Sequence, residues 1–272
     1  MESTRTPLTT AADTRPNGLA GRLLADRHSL PLSIALHLLP GIPIVGVYLL
    51  FAQPLMRALE LPSFLGWAIS MVVALAPIQL GLLVWLGYRR NGRLSLRGVV
   101  NYLDKPTPRG RLVLIVTVLI VQFLGLSTAL VTLDNAVYEA FFSWVPFDGS
   151  GGGGLTYIGG FPQSVMVITL AVCIPLTGFS LPLIEELYFR GFLLSRLPQL
   201  GGWAPLVNTA LFSIYHFWSP WAILSRIIFA FAGFWLAWKK QDLRLSIGMH
   251  VGSAFILQTL GTVALLLNVM PT

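Results

Sequence analysis

The chain has 272 residues, of which 55% are hydrophobic and 11% are charged, and its mean hydropathy is +0.74. About a quarter of the residues in a soluble domain are charged, so this composition excludes an ordinary water-soluble fold. The net charge of +7 would suit a nucleic-acid partner. However, Lys and Arg stand in short clusters between apolar runs, which is typical of membrane topology. We therefore expect one integral membrane domain that lies in a lipid bilayer and binds no nucleic acid.

A polar segment, residues 1–29, precedes the apolar sequence and contains Arg5, Arg15, Arg22 and Arg27. It lacks the apolar core and the small-residue cleavage site of a signal peptide. It is therefore predicted to be a cytoplasmic tail.

Apolar stretches follow along nearly all of the remaining chain. A helix needs about 20 residues to cross the hydrocarbon core, and the length of each stretch approaches that number. They are residues 31–53, 63–88, 112–133, 164–188, 203–220, 221–238 and 245–268. Backbone polar groups in lipid must be satisfied within the segment, so the stretches are predicted to be helices. The expected fold class is all-α, a polytopic transmembrane helical bundle of about seven to eight spans. Residues 30–163 form an expected N-terminal transmembrane region of three spans and a loop, and residues 164–272 form a C-terminal core.

The distribution of basic residues predicts the orientation of the bundle. Lys and Arg are concentrated before the first span and between Arg89 and Arg111, whereas residues 134–163 contain neither. The positive-inside rule then places the N-terminus in the cytoplasm and the C-terminus outside. The loop 134–163, with the run Gly151 to Gly154, is expected to be external and to carry no chemistry. The chain has no organelle signal, which favours a bacterial cytoplasmic membrane.

Two adjacent acids, Glu185 and Glu186, interrupt the fourth apolar stretch, and Arg190 follows them. A charge at the centre of a membrane helix costs about 2.5 to 3.5 kcal/mol on insertion scales, so each of these residues needs a reason. Glu186 and Arg190 are four residues apart and are predicted to form an ion pair. Glu185 points about 100° away around the helix and is left for another role. The alternative is that both acids mark the end of the span, but a structural ion pair would need only one acid.

Two histidines lie in apolar stretches of the C-terminal core. His216 shares a helical stripe with Asn208 and Phe212, and His250 lies near the start of the last stretch. A lone histidine on an apolar helix is usually a packing residue, and we expect that of His28 and His37, which lie near the first span. The rise per residue places His216 level with Glu185 on an antiparallel neighbour. We therefore expect the two C-terminal histidines and the glutamates to meet.

The ordered set of Glu185-Glu186-x-x-x-Arg190, Phe212-x-x-x-His216 and His250 resembles the three motifs of the CAAX protease and bacteriocin-processing family, also called CPBP or Abi. This family of glutamate-dependent intramembrane endopeptidases includes the Ras-converting CAAX endopeptidase of eukaryotes. The resemblance covers residues from about 164 to 268. It implies that the C-terminal core is a catalytic core and that the substrate is a peptide or a small protein.

The resemblance also implies a role for each matched residue. Glu185 would be the base and His216 its helper in activating a water, and His250 would stabilise the tetrahedral oxyanion. Glu186 and Arg190 would brace the site. The sequence departs from the family at Ala254, where the third motif usually has an Asn as a second oxyanion donor. Losing one such donor costs about 10² to 10³ in rate. Ser253 and Asn208 are possible substitutes.

Several alternatives stay open at the level of sequence. One Glu and two His side chains are able to hold Zn²⁺, but no His-Glu-x-x-His spacing is present, so no cofactor is expected. Because of Ala254, the chain is alternatively a non-catalytic binding or immunity protein that uses the same cavity. A transporter is disfavoured because we find no internal repeat. Arg226 is the one further charge within a late span, and we expect it to snorkel towards the outer surface.

Overall fold

The computed structural model describes residues 18–147 and 159–269. Helices form almost the whole of these two ranges. They are α1 (Leu19–Leu24), α2 (Leu30–Ala58), α3 (Ser63–Asn91), α4 (Arg109–Ala129), α5 (131–142), α6 (Gln163–Arg196), α7 (Ala204–Ile214), α8 (Pro220–Lys240) and α9 (Arg244–Leu266). The predicted all-α helical bundle is confirmed.

Six helices in the described ranges are long and apolar enough to cross a membrane, namely α2, α3, α4, α6, α8 and α9. The prediction was about seven to eight spans, so the count of such helices in the described ranges is slightly lower. The difference lies in the predicted span 203–220, where α7 has 11 residues and ends at Ile214. At 1.5 Å per residue it rises about 17 Å, roughly half of the ~30 Å hydrocarbon core. Hydropathy does not show this early end, because the residues beyond it include Tyr215, Phe217 and Trp218 and keep the stretch predominantly apolar.

The chain beyond α7 is held by the following proline and by Arg226 of α8. Ser219 is held out of the helical region by the proline that follows it, with φ −146° and ψ 59°. Arg226 of α8 donates through Nη1 to the backbone oxygen of Ser213 at 3.3 Å and through Nη2 to the Ser219 hydroxyl at 2.8 Å. Irregular backbone at membrane depth needs partners within the protein. Arg226 supplies them at the turn that precedes α8.

Helices α7 and α8 form an antiparallel pair. Ala204, at the start of α7, packs near Trp238 at the end of α8. Ser213, at the other end of α7, is bonded to Arg226 of α8. The turn 215–219 closes this hairpin and carries the chain up to the start of α8. It therefore places Tyr215 and His216 inside the bundle and not at its surface.

Helix α6 is irregular along much of its length. Pro175 and Pro182 lie within it, and each removes a backbone donor from the helix. Two stretches, Ile174–Ser180 and Glu186–Leu193, are wound as wider π-helical turns. Such turns often occur at functional sites. The second one begins at the glutamate pair.

The other helices surround α6. Helix α9 packs along it, and α4 and α8 pack against α9. On the other side, residues 76–80 of α3 pack against residues 181–185 of α6. The main hydrophobic core includes Phe189 and Phe192 of α6, Phe212 of α7 and Phe234 of α8. The glutamate segment is therefore enclosed by helices from both halves of the chain.

A polar clamp joins the loop before α4 to the start of α9. The Asp242 carboxylate accepts hydrogen bonds from Arg244 Nε at 2.9 Å and Nη2 at 2.8 Å, and from the backbone N–H of Thr107 at 2.6 Å. Burial alone would raise the pKa of Asp242, but the bonds from Arg244 and Thr107 outweigh it and lower the pKa to about 2. The carboxylate thus stays ionised and holds the two segments together.

Part of the predicted polar tail is packed against the bundle. Leu23 and Leu24 of α1 are buried in the main core, and the backbone N–H of His28 donates to the Arg196 carbonyl at 2.9 Å. His28 is buried beside Phe192, as expected for a packing residue. In the predicted external loop, the run Gly151 to Gly154 lies outside the described residues.

Candidate active site

The two glutamates of α6 are buried in the middle of the bundle. Glu186 and Arg190 are fully buried, and Glu185 keeps 7% of its surface exposed. Lys, Arg, Asp and Glu are almost never fully buried unless they are paired. Three such residues within six positions therefore require specific partners in the surrounding helices.

Glu186 and Arg190 form the predicted ion pair, with Arg190 Nη1 3.2 Å from Glu186 Oε1. The Arg190 guanidinium also lies against two aromatic rings. Its central carbon is 3.2 Å from the ring centre of Phe234 and 4.0 Å from that of Phe212. A desolvated cation on an aromatic face is stabilised by about 2 kcal/mol. The aromatic rings and Glu186 together hold this charge in the core.

His250 lies between the two acids. Its Nδ1 atom is 2.9 Å from Glu186 Oε1, a hydrogen-bond distance, and its Nε2 atom is 3.9 Å from Glu185 Oε2. Its side chain is 15% exposed, so the site is not completely sealed. The prediction that His250 joins the glutamates is confirmed. The His250 imidazole thus connects Glu186, which is paired with Arg190, to Glu185.

The hydrogen-bond partner of Glu185 from the α7–α8 turn is Tyr215, whose hydroxyl donates to Glu185 Oε1. His216 was expected to face Glu185, but in the described part of the chain it has no hydrogen bond or ion pair with that residue. The His216 Nδ1 atom instead lies 2.7 Å from the Phe212 carbonyl. That carbonyl is available because α7 ends at Ile214 and the His216 backbone N–H bonds to Ser213. In the described residues His216 and Glu185 are thus neighbours without a direct hydrogen bond.

His216 is nevertheless beside the site. The Phe212 ring lies between the two histidines, with its centre 4.8 Å from that of His216 and 5.9 Å from that of His250. His216 is half-buried, and its Nε2 atom has no hydrogen-bond partner among the described residues. The predicted stripe therefore brings His216 close to the glutamates and leaves one ring nitrogen unengaged.

Sequence reasoning missed Tyr215. A tyrosine in an apolar stretch reads as a packing or interface residue, but a buried tyrosine hydroxyl usually has a partner. Its position next to His216, at the level of Glu185, is the signal that was available. Its contact with Glu185 makes it part of the candidate site.

The suggested substitutes for the missing Asn at position 254 are placed differently. Asn208 is buried and donates through Nδ2 to His37 Nε2 at 2.8 Å and to the Phe189 carbonyl at 2.9 Å. It therefore holds α2 against α6 and α7, and His37 is a buried packing residue as expected. Ser253 is also buried, and its hydroxyl has no partner in the described ranges. In the described ranges each of the two residues keeps one unengaged polar atom, Asn208 Oδ1 and the Ser253 hydroxyl.

No group of three or more His, Cys, Asp or Glu side chains in residues 18–147 and 159–269 has an arrangement that could hold a metal ion. Glu186 and Arg190 are already engaged with each other. The cluster instead contains a carboxylate with one free oxygen, a second carboxylate neutralised by Arg190, and two imidazoles. Carboxylate and imidazole groups are common general acids and bases in enzymes.

Residues 166–256 match the family model described as Type II CAAX prenyl endopeptidase Rce1-like. We refer to this matched stretch as the Rce1-like region. The match confirms the predicted resemblance to CAAX proteases, and Glu185, Glu186, Arg190, His216 and His250 all lie within it. Because the Rce1-like family is a family of proteases, the match supports a protease activity in the membrane. Among curated proteins and solved structures, none matches the chain.

Proposed function

We propose that the protein is an endopeptidase that hydrolyses a peptide bond within the membrane, with Glu185 activating the water. The observation that carries this proposal is the placement of Glu185 Oε2 3.9 Å from His250 Nε2 at a buried, incompletely sealed position in the Rce1-like region. Two polar atoms at this separation are too far apart for a direct hydrogen bond, and a water beside them bonds to both. The arrangement therefore suits a water-consuming reaction.

In the proposed reaction the water transfers a proton to Glu185 Oε2 while its oxygen attacks the carbonyl carbon of the peptide. The carbonyl π electrons move onto the oxygen and form a tetrahedral oxyanion. When this intermediate collapses, the C–N bond breaks and the amine leaves with the proton that Glu185 accepted. Glu185 thus acts first as a general base and then as a general acid.

The two histidines have different proposed roles. The Phe212 carbonyl accepts a hydrogen bond, so the proton of neutral His216 lies on Nδ1 and its Nε2 lone pair is free to orient the water. His250 donates from Nε2 to the oxyanion, as a donor directed at developing charge. Glu186 fixes the His250 ring through Nδ1, and Arg190 offsets the charge of Glu186. No cofactor takes part in this proposal.

The proposed substrate is a peptide or a small protein that enters from the bilayer. The Rce1-like family name refers to prenylated CAAX chains, and a lipid-attached peptide would reach a membrane site by lateral diffusion. The proposed location is a bacterial cytoplasmic membrane with the N-terminus in the cytoplasm, which the distribution of Lys and Arg supports. Residues 164–272 are the proposed catalytic core.

The test compares wild type, Glu185→Gln and Glu139→Gln in nanodiscs with a peptide library and with farnesylated peptides that end in a CAAX sequence. Cleavage is read by mass spectrometry. Glu139 is exposed and lies outside the site, so its variant is the matched control. We expect Glu185→Gln to reduce turnover by about 10² to 10⁴, the contribution of general acid–base catalysis. Undiminished cleavage by Glu185→Gln would refute the proposal.

The same assay separates the alternatives. Activity that is lost on strong chelation and restored by Zn²⁺ would indicate a metal mechanism. Peptide binding without cleavage by wild type would indicate the non-catalytic reading that Ala254 raised. Cleavage of farnesylated peptides alone would identify prenylation as part of recognition.

A further inference from the structure

Tyr215 is the feature of the candidate site that neither the motifs nor the proposed reaction uses. Its hydroxyl donates a hydrogen bond to Glu185 Oε1, and both side chains are buried. Within the described residues, Tyr215 is the hydrogen-bond donor to this carboxylate. The inference below rests on the proposed function, in which Glu185 is the base.

The phenol ring has little freedom to move away from Glu185. Its centre lies 4.8 Å from that of Phe189, 4.5 Å from that of His216 and 5.3 Å from that of Trp218. These rings belong to α6 and to the α7–α8 turn, which Arg226 fixes through Ser213 and Ser219. The hydroxyl is therefore held at one position by packing on several sides.

The hydrogen bond makes the two oxygens of Glu185 unequal. A carboxylate has about four lone-pair sites shared by two oxygens, and either oxygen is in principle able to accept a proton. Here Tyr215 engages Oε1, whereas Oε2 faces His250 Nε2 across 3.9 Å. The hydrogen bond from Tyr215 lowers the electron density available on Oε1. Oε2, which lies beside the proposed position of the water, is then the more basic oxygen of Glu185.

We propose that Tyr215 is a positioning residue that fixes the Glu185 carboxylate and directs proton transfer to Oε2. The phenol keeps its own proton throughout and touches neither the water nor the substrate. Without it the carboxylate is free to turn about its terminal torsion, because such sp³–sp² torsions are broad. The fraction of time in which Oε2 faces the water then falls.

The first test is the kinetics of Tyr215→Phe, which removes one oxygen atom and retains the ring. A hydrogen bond to a charged group is strong, and its loss here should lower kcat about 10- to 100-fold. KM should change less than about twofold, because Tyr215 does not contact the substrate. A KM increase with unchanged kcat would overturn the proposal.

Tyr188→Phe is the matched control. The Tyr188 hydroxyl is also buried, but it donates to the Leu36 carbonyl at 2.8 Å and thus joins α6 to α2. This variant should lose thermal stability and retain kcat. If both variants lower kcat equally, the effect of Tyr215→Phe is structural and the proposal fails.

A spectroscopic measurement tests the contact without any substrate. The carboxylate stretching bands of Glu185 are assigned by infrared difference between wild type and Glu185→Gln, each labelled with ¹³C-glutamate. In Tyr215→Phe the separation of the symmetric and antisymmetric bands should change, and in Tyr188→Phe it should not. Unchanged bands in Tyr215→Phe would overturn the proposal. Absence of cleavage by wild type with the band change intact would overturn the proposed function and leave the Tyr215–Glu185 bond established.

Discussion

The buried pair of Glu186 and Arg190 makes a quantitative prediction that does not depend on catalysis. Arg190→Met removes the guanidinium and leaves the Glu186 carboxylate at a position with no exposed surface. Breaking a buried pair from one side costs about 3 to 5 kcal/mol, because an uncompensated charge remains. The Met side chain retains packing volume against Phe212 and Phe234, so the loss of the charge dominates.

The second member of the test is Glu186→Gln, alone and combined with Arg190→Met. Gln at position 186 is neutral and keeps an oxygen that accepts from His250 Nδ1. The double variant has no unpaired charge at this position. We therefore expect it to be more stable than Arg190→Met alone, with a coupling energy of about 1 to 3 kcal/mol in a double-mutant cycle.

Thermal unfolding in detergent or nanodiscs measures this cycle. For a chain of this size about 1 kcal/mol shifts Tm by roughly 2 to 4 °C, so Arg190→Met should lower Tm by about 6 to 20 °C. The double variant should recover part of that loss. Arg190→Lys keeps the charge and loses the planar contact with the two rings, and it should lie between wild type and Arg190→Met. Additive effects of the two single variants would refute the reasoning, since residues that do not interact show no coupling.

Two other predictions concern polar groups outside the catalytic cluster. Because the folded-state pKa of Asp242 is about 2, below its ordinary 3.8, its bond with Arg244 should stabilise the fold above about pH 4, and this contribution should be lost as the pH falls towards 2. Asp242→Asn should thus lower the free energy of unfolding by about 1 to 2 kcal/mol at pH 7, a value discounted because Arg244 is partly exposed, and by little at pH 2. Thermal unfolding at both pH values measures this, with the exposed residue variant Asp104→Asn as the control. Gln79 is fully buried, and neither atom of its amide has a hydrogen-bond partner in the described ranges, so Gln79→Met should raise the free energy of unfolding by about 1 to 3 kcal/mol. The control is Gln53→Met, which removes a hydrogen bond from Gln53 Nε2 to a backbone carbonyl and should lower the free energy of unfolding. A loss of stability in Gln79→Met would show that the Gln79 amide is paired.

The sequence was sufficient for the charged part of the site. Glu186 and Arg190 were predicted to pair from their spacing alone, and the pair forms although α6 is wound more widely there. The spacing argument succeeds because a buried charge without a partner is too costly to persist, so few arrangements are compatible with the sequence. The meeting of His250 with the acids was expected because this histidine lies in an apolar stretch of the same C-terminal core.

The end of α7 was not predictable from hydropathy. Residues 203–220 are predominantly apolar, and apolar composition does not distinguish a helix that crosses the bilayer from a half-length helix enclosed by others. The decisive interaction is tertiary, because Arg226 of α8 bonds to the backbone at Ser213. This early end also explains why Tyr215, and not His216, hydrogen-bonds to Glu185, because the helical stripe stops before residue 216.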